Sequence, residues 1–268
     1  MFDDYNLLYK EFDTQKDKAL IELNKQMELA KMLYIEKAKE NKNDYIKDNI
    51  IQSSEELNKE VSKKNFDAIK LICSIYFAKV SKYYYDESIK YLNDKIKDKN
   101  FKNKYDPKSV DKYMNAFMEG FGLNYSFNTQ ISQYENYFNS RVTNTITLML
   151  VKNKGNLEQS NATITNTDME KFVKETDIDY VTEFMREKKM LSNLFDSTMN
   201  STMKASIKQA FIDCGIDYIY RRGIADKVTC DYCLSIMNKR FGIQSAPSVP
   251  SHPNCRCWYE PDLDKYIK

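Results

Sequence analysis

In a chain of 268 residues only six are glycine and five are proline, against average usage of about 7% and about 5%. A β-sandwich, a barrel or a Gly-rich nucleotide fold must turn sharply many times, and those two residues make most such turns. Their scarcity argues against these folds and favours long helices, which both residues interrupt. The few breakers are also unevenly placed. Pro247, Pro250, Pro253 and Pro261 crowd the end of the chain, as does the single tryptophan, Trp258. Hydrophobic content of 42% and aromatic content of 13% argue against wholesale disorder.

Residues 5–40 read as one amphipathic helix. Leu20, Leu23, Met27, Ala30 and Tyr34 recur at steps of three and four, the spacing of a packed seam. A second helical stretch covers roughly 44–99, with an apolar centre at Phe66, Ile69, Ile72, Ile75, Tyr76 and Val80. Tyr83, Tyr84 and Tyr85 are consecutive, hence about 100° apart on a helix, and cannot share a face. Residues 95–104 read as an exposed connection, with a sub-boundary expected near 100–107, where Asp106-Pro107 suits a helix start. Residues 108–150 read as helix with a break at Gly120–Gly122, and 142–151 fits a helix end or a strand equally well.

Residues 152–166 read as an exposed loop. Thr167-Asp168-Met169-Glu170 then forms a capping box, opening a helix that runs, with room for a break, to about Cys214. Gly215 is a natural C-cap. Beyond it the composition changes: 216–225 is β-prone and Arg240–Ile243 suits a second short strand. The expected fold is mainly α. It comprises a long helical N-terminal body over 1–214 and a small C-terminal α+β module over 215–268, stapled by zinc.

Lysine plus arginine number 41 and aspartate plus glutamate 39, a net charge of +2. There is no basic excess of the kind a dedicated nucleic-acid binder carries. The N-terminus, MFDDYNLLYKEF, has acids where a signal peptide has lysines. The apolar stretches fall far short of the roughly 18 residues of a membrane span. A soluble protein kept in a reducing cytoplasm is the expectation.

The cysteines carry the strongest local signal. Cys73 and Cys214 stand alone, while Cys230, Cys233, Cys255 and Cys257 cluster around His252, the sole histidine. A CxxC turn brings two sulfurs to one point, and a second pair from HxxC or CxC completes a tetrahedron of the kind that holds zinc. Five ligands compete for four places: Cys230, Cys233 and Cys255 are the surest, and His252 and Cys257 contend for the fourth. Three other readings compete: cysteines packed as small hydrophobes, disulfides, which a cytoplasmic protein seldom keeps, and a Cys230–His252 nucleophile–base pair. The metal reading is favoured. A loop-rich module of this size buries little apolar surface, and metal–ligand bonds replace the missing core.

At these residues the sequence resembles a known family. The order TCDYC, then Phe241-Gly242, then PSVPSHPNCRCW is similar to the C-terminal signature of the phage Mu F-like minor head proteins, the phage head-morphogenesis family. Thr229, Cys230, Cys233, Gly242, Pro250, His252, Pro253, Asn254, Cys255, Arg256 and Cys257 carry the match. The preceding helix lacks the acidic Thr-Glu element many members have, reading instead Ser197–Met203. The resemblance implies a structural role in the virion, at the portal or in the head interior, after assembly in the host cytoplasm. It implies the portal protein as partner, with major capsid or scaffold protein and packaged DNA as further contacts, and no membrane.

A zinc-dependent nucleic-acid module is the alternative. Arg221, Arg222, Lys227, Lys239, Arg240 and Arg256 interleave with Tyr218, Tyr220, Tyr232 and Trp258, a mixture suited to single strands. Eight basic and six acidic residues over 215–268 instead read as a solvated, mixed-charge surface. No P-loop, GxGxxG or HExxH occurs and only one histidine is present, so no enzymatic activity is expected.

Overall fold

A computed structural model describes residues 5–40, 50–96, 128–137, 139–140, 166–249 and 255–266. Helix α1 spans Tyr5–Glu40, α2 Ile50–Lys95 and α3 Asn166–Asp213, with a helical stretch at 128–137 between the last two. Strand β1 (Tyr218–Arg222), the short helix α4 (Asp231–Ile236), β2 (Arg240–Gly242) and β3 (Trp258–Pro261) follow. The fold is mainly α with a small α+β module near the C-terminus. No helix among the described residues is long and apolar enough to cross a membrane.

The helical seams follow the expected spacing, with local shifts. On α1, Leu23, Met27 and Ala30 are buried and Leu20 is half-buried, and the stripe extends back through Ala19, Phe12 and Leu8. On α2 the seam runs through Phe66, Ile69, Cys73, Tyr76, Phe77, Val80 and Tyr84. Ile75, expected in its centre, is exposed, because it stands two residues from Cys73 and so on the opposite side of the helix. Tyr83 points outward while Tyr84 and Tyr85 are buried. Helix α3 is continuous and begins at Asn166, one residue before the expected cap. Of the exposed connection expected at 95–104, Lys95 instead closes α2 and Ile96 is buried, and Asn166, expected to end the 152–166 loop, opens α3. The rest of both stretches, the sub-boundary near 100–107, the break at Gly120–Gly122 and the 142–151 stretch lie outside the described residues.

The chain divides into two compact units. One contains residues 20–72 and 128–193. Its core joins Leu23 and Met27 of α1, Val61, Phe66 and Ile69 of α2, Ile131 and Tyr134, with Phe66 edge-on to Tyr134 at 5.6 Å. Lys70 pairs with Glu135 at 3.4 Å.

The other unit contains residues 1–19, 73–127 and 194–268. The Phe77 and Phe195 rings stack at 5.3 Å, and the buried Ser81 and Ser206 hydroxyls meet at 2.7 Å. The Tyr84 hydroxyl accepts from the Phe12 N–H at 3.0 Å and donates to the Leu8 carbonyl. Those are the two groups that bond each other in a regular helix, so Tyr84 is inserted into the α1 ladder.

Helix α3 ends in a Schellman turn. Gly215 has φ +71°, its N–H donates to the Ile212 carbonyl, and the Ile216 N–H donates to the Phe211 carbonyl. The chain then enters a three-stranded antiparallel sheet of order β2-β1-β3. Both strands expected from the sequence form; β3 is additional. Along β1, Ile219 and Arg221 face inward and Tyr218 faces out, as alternation requires.

Candidate metal centre

Cys230 is the N-cap of α4. Its extended backbone (φ −70°, ψ 153°) turns the side chain back over the first turn, where Sγ accepts the Cys233 N–H at 3.4 Å. The CxxC spacing therefore aims both sulfurs at the same end of the helix. Cys255 and Cys257 lead into β3. They sit two residues apart, the period that places side chains on one face of extended chain. The Cys255 carbonyl is held from α3 by Asn200 Nδ2 at 3.2 Å and by Lys204 Nζ at 2.5 Å.

These supports bring three sulfurs together. The Sγ atoms of Cys233, Cys255 and Cys257 lie within 4.8 Å of one another, and all three residues are buried. Cys233 and Cys255 stand 3.9 Å apart, Sγ to Sγ. A disulfide is about 2.05 Å, whereas the edge of a tetrahedron with metal–sulfur bonds near 2.3 Å is about 3.8 Å. The cluster could thus hold a metal ion. A cavity of about 20 Å³ beside it is lined by Cys230, Cys233, Cys257, Thr229 and Arg256. Gly223 packs close to Cys257: a Cβ there would lie 3.1 Å from Cys257 Sγ and 2.8 Å from Met237 Cε.

Two buried cations stand beside the cluster. Arg221 is 0% exposed; its Nη2 points to Cys233 Sγ at 3.6 Å and Cys255 Sγ at 4.0 Å, and Nη1 donates to the Ser248 carbonyl at 3.1 Å. Lys204, also 0% exposed, lies 5.8 Å over the Tyr9 ring. Burial draws its ammonium down to about 8, against the pull of Cys255 and Cys257. The hydrogen bond with Cys255, and then burial, push the Cys257 thiol far above its usual range, and burial raises Cys233. A bound cation inverts that balance by stabilising thiolates.

A clamp closes the site from outside. Arg256 bonds Asp226 through its two terminal guanidinium nitrogens, at 2.7 and 2.5 Å, and Asp226 in turn accepts the Val228 N–H and the Thr229 hydroxyl. The Arg256 guanidinium holds the Asp226 carboxyl well below the usual range. The turn before the CxxC is thereby tied to the CRC segment.

Of the five expected ligands, Cys233, Cys255 and Cys257 form the close group. Cys230 stands at its edge, bonded to the Cys233 backbone, and His252 lies outside the described residues. Cys257, expected to contend for the last place, is one of the close three. The basic residues also differ from expectation. Arg221 is fully buried against the sulfurs and is no part of a solvated surface, because it shares the inner face of β1 with Ile219. That i, i+2 relation in IYR was the available signal. Lys204 and Asn200 were missed, although both interrupt the apolar run Met199, Met203 and Ile207. Cys73 and Cys214 are buried apart from the cluster; desolvation raises Cys73 and pushes Cys214 up to about 12. No family model matches the chain, and no curated protein or solved structure gives a significant match.

Proposed function

We propose that this chain is a structural protein of phage head assembly, of the Mu F-like minor head type, with a structural zinc ion in its cysteine cluster. One observation carries the reading. The two halves of the signature, TCDYC and CRC, converge on a single buried sulfur cluster. A donor set of thiols at tetrahedral spacing suits zinc. The ion would draw distant loops to one point and supply folding energy to a module with a three-stranded sheet of short strands. No catalytic role is assigned. The portal is the proposed principal partner, with capsid or scaffold protein and packaged DNA as neighbours.

The arginines disfavour the nucleic-acid alternative. Arg222 pairs with Glu260, Arg240 with Asp262 at 2.6 Å, Arg256 with Asp226, and Arg221 with sulfurs. Guanidinium groups already matched by internal anions leave little charge to exchange for phosphate. The chain is expected to pass through a DNA column without salt-dependent retention.

Quantitative mass spectrometry of purified particles, scaled to the portal subunit, tests the assembly role. Presence in procapsids and mature heads at portal-like or lower copy is expected. Absence from both would contradict the proposal.

A further inference from the structure

We infer that Cys230 completes a four-sulfur metal site with Cys233, Cys255 and Cys257, and that Arg221 and Lys204 are its built-in countercharges. This deepens the metal-centre reading above and rests on it.

Charge selects the ligand set. Arginine stays protonated in proteins, and burying a charge is costly unless an opposite charge meets it. Arg221 and Lys204 are both fully buried: Arg221 points at the Cys233 and Cys255 sulfurs, and Lys204 sits beside the same cluster, held on the Cys255 carbonyl. Two like charges in one dry site repel, unless anions of matching size stand beside them. A divalent ion on four thiolates carries two net negative charges, one for each cation. With three thiolates and a neutral imidazole it carries one, and half of the buried positive charge would go unmatched.

Geometry points the same way. Cys230 is already oriented by the Cys233 N–H, and its side chain lines the cavity of about 20 Å³ together with Cys233 and Cys257. That volume is on the scale of a single water-sized sphere, room for one ion.

The test is cobalt(II) binding to the full chain, read by visible absorption and by competition with a chelator. Wild type and His252→Asn should bind one cobalt with the same four-sulfur charge-transfer and d–d bands. Cys230→Ser should move the bands to a three-sulfur pattern. Arg221→Met and Lys204→Met should each weaken binding about 10- to 100-fold, the usual effect of removing a group that supports metal ligands, and Arg221→Lys should recover most of the loss. Bands altered by His252→Asn and untouched by Cys230→Ser would overturn the ligand assignment and leave the metal centre standing. Wild-type affinity in both methionine variants would overturn the countercharge role. Failure of the wild-type chain to bind cobalt would overturn the metal centre and this inference together.

Discussion

A methyl group at Gly223 would meet the Cys257 sulfur at 3.1 Å and the Met237 terminal carbon at 2.8 Å. The methionine end can swing aside, but a sulfur that held an ion could not. Gly223→Ala should therefore weaken metal retention, with an overpacking cost of about 1–3 kcal/mol. Adding Met237→Ala should recover little of it. Chelator competition reads both variants, and full recovery in the double variant would place the strain on Met237 instead. The cysteines at this scale were legible, since CxxC and CxC spacing announce convergent sulfurs whatever surrounds them. The charges were not. Arg221, Arg222, Arg240 and Arg256 look alike in sequence, and only strand alternation separates the buried one from the three that pair with carboxylates. Cys230 and Cys257 exchanged prominence because capping a short helix sets Cys230 at the rim.

Helix ends and turns hold these residues in place. Gly215 adopts φ +71° with open space around its α-carbon, so its replacement meets backbone strain alone. Gly215→Ala should cost about 1–2 kcal/mol, measurable by denaturant titration, while leaving metal stoichiometry unchanged. The clamp between Asp226 and Arg256 acts on the approach to the CxxC. Because the folded carboxyl titrates below its ordinary value, its contribution is complete above about pH 4. It is lost as pH falls through the depressed folded value. Asp226→Asn should thus lower metal affinity at neutral pH, and an affinity equal to wild type would remove the clamp from the account. Breaker scarcity and three-to-four spacing made α1, α2 and α3 readable, as did the glycine at the end of α3. Strand β3 was not, because WYEP carries neither alternation nor a β-branched residue and earns its pairing from β1.

On the scale of the chain, the tail shares one compact unit with residues 194–213 of α3. Asn200 and Lys204 bind the Cys255 carbonyl directly, so ligand loss should be felt in the helix as well as the loops. Chelation should speed amide exchange over 197–208 and expose 216–266 to protease. The cluster of Leu23, Met27, Phe66 and Tyr134, in the other unit, should keep its protection. Uniform loss across both clusters would show instead that the chain unfolds as one body. The central claim is a metal held by tail sulfurs, and the metal content of the purified full chain tests it most directly. One zinc per chain is predicted, falling to near zero in Cys233→Ser and Cys255→Ser variants that retain helical circular dichroism. A folded wild-type chain without metal, or zinc undiminished in both variants, would contradict it.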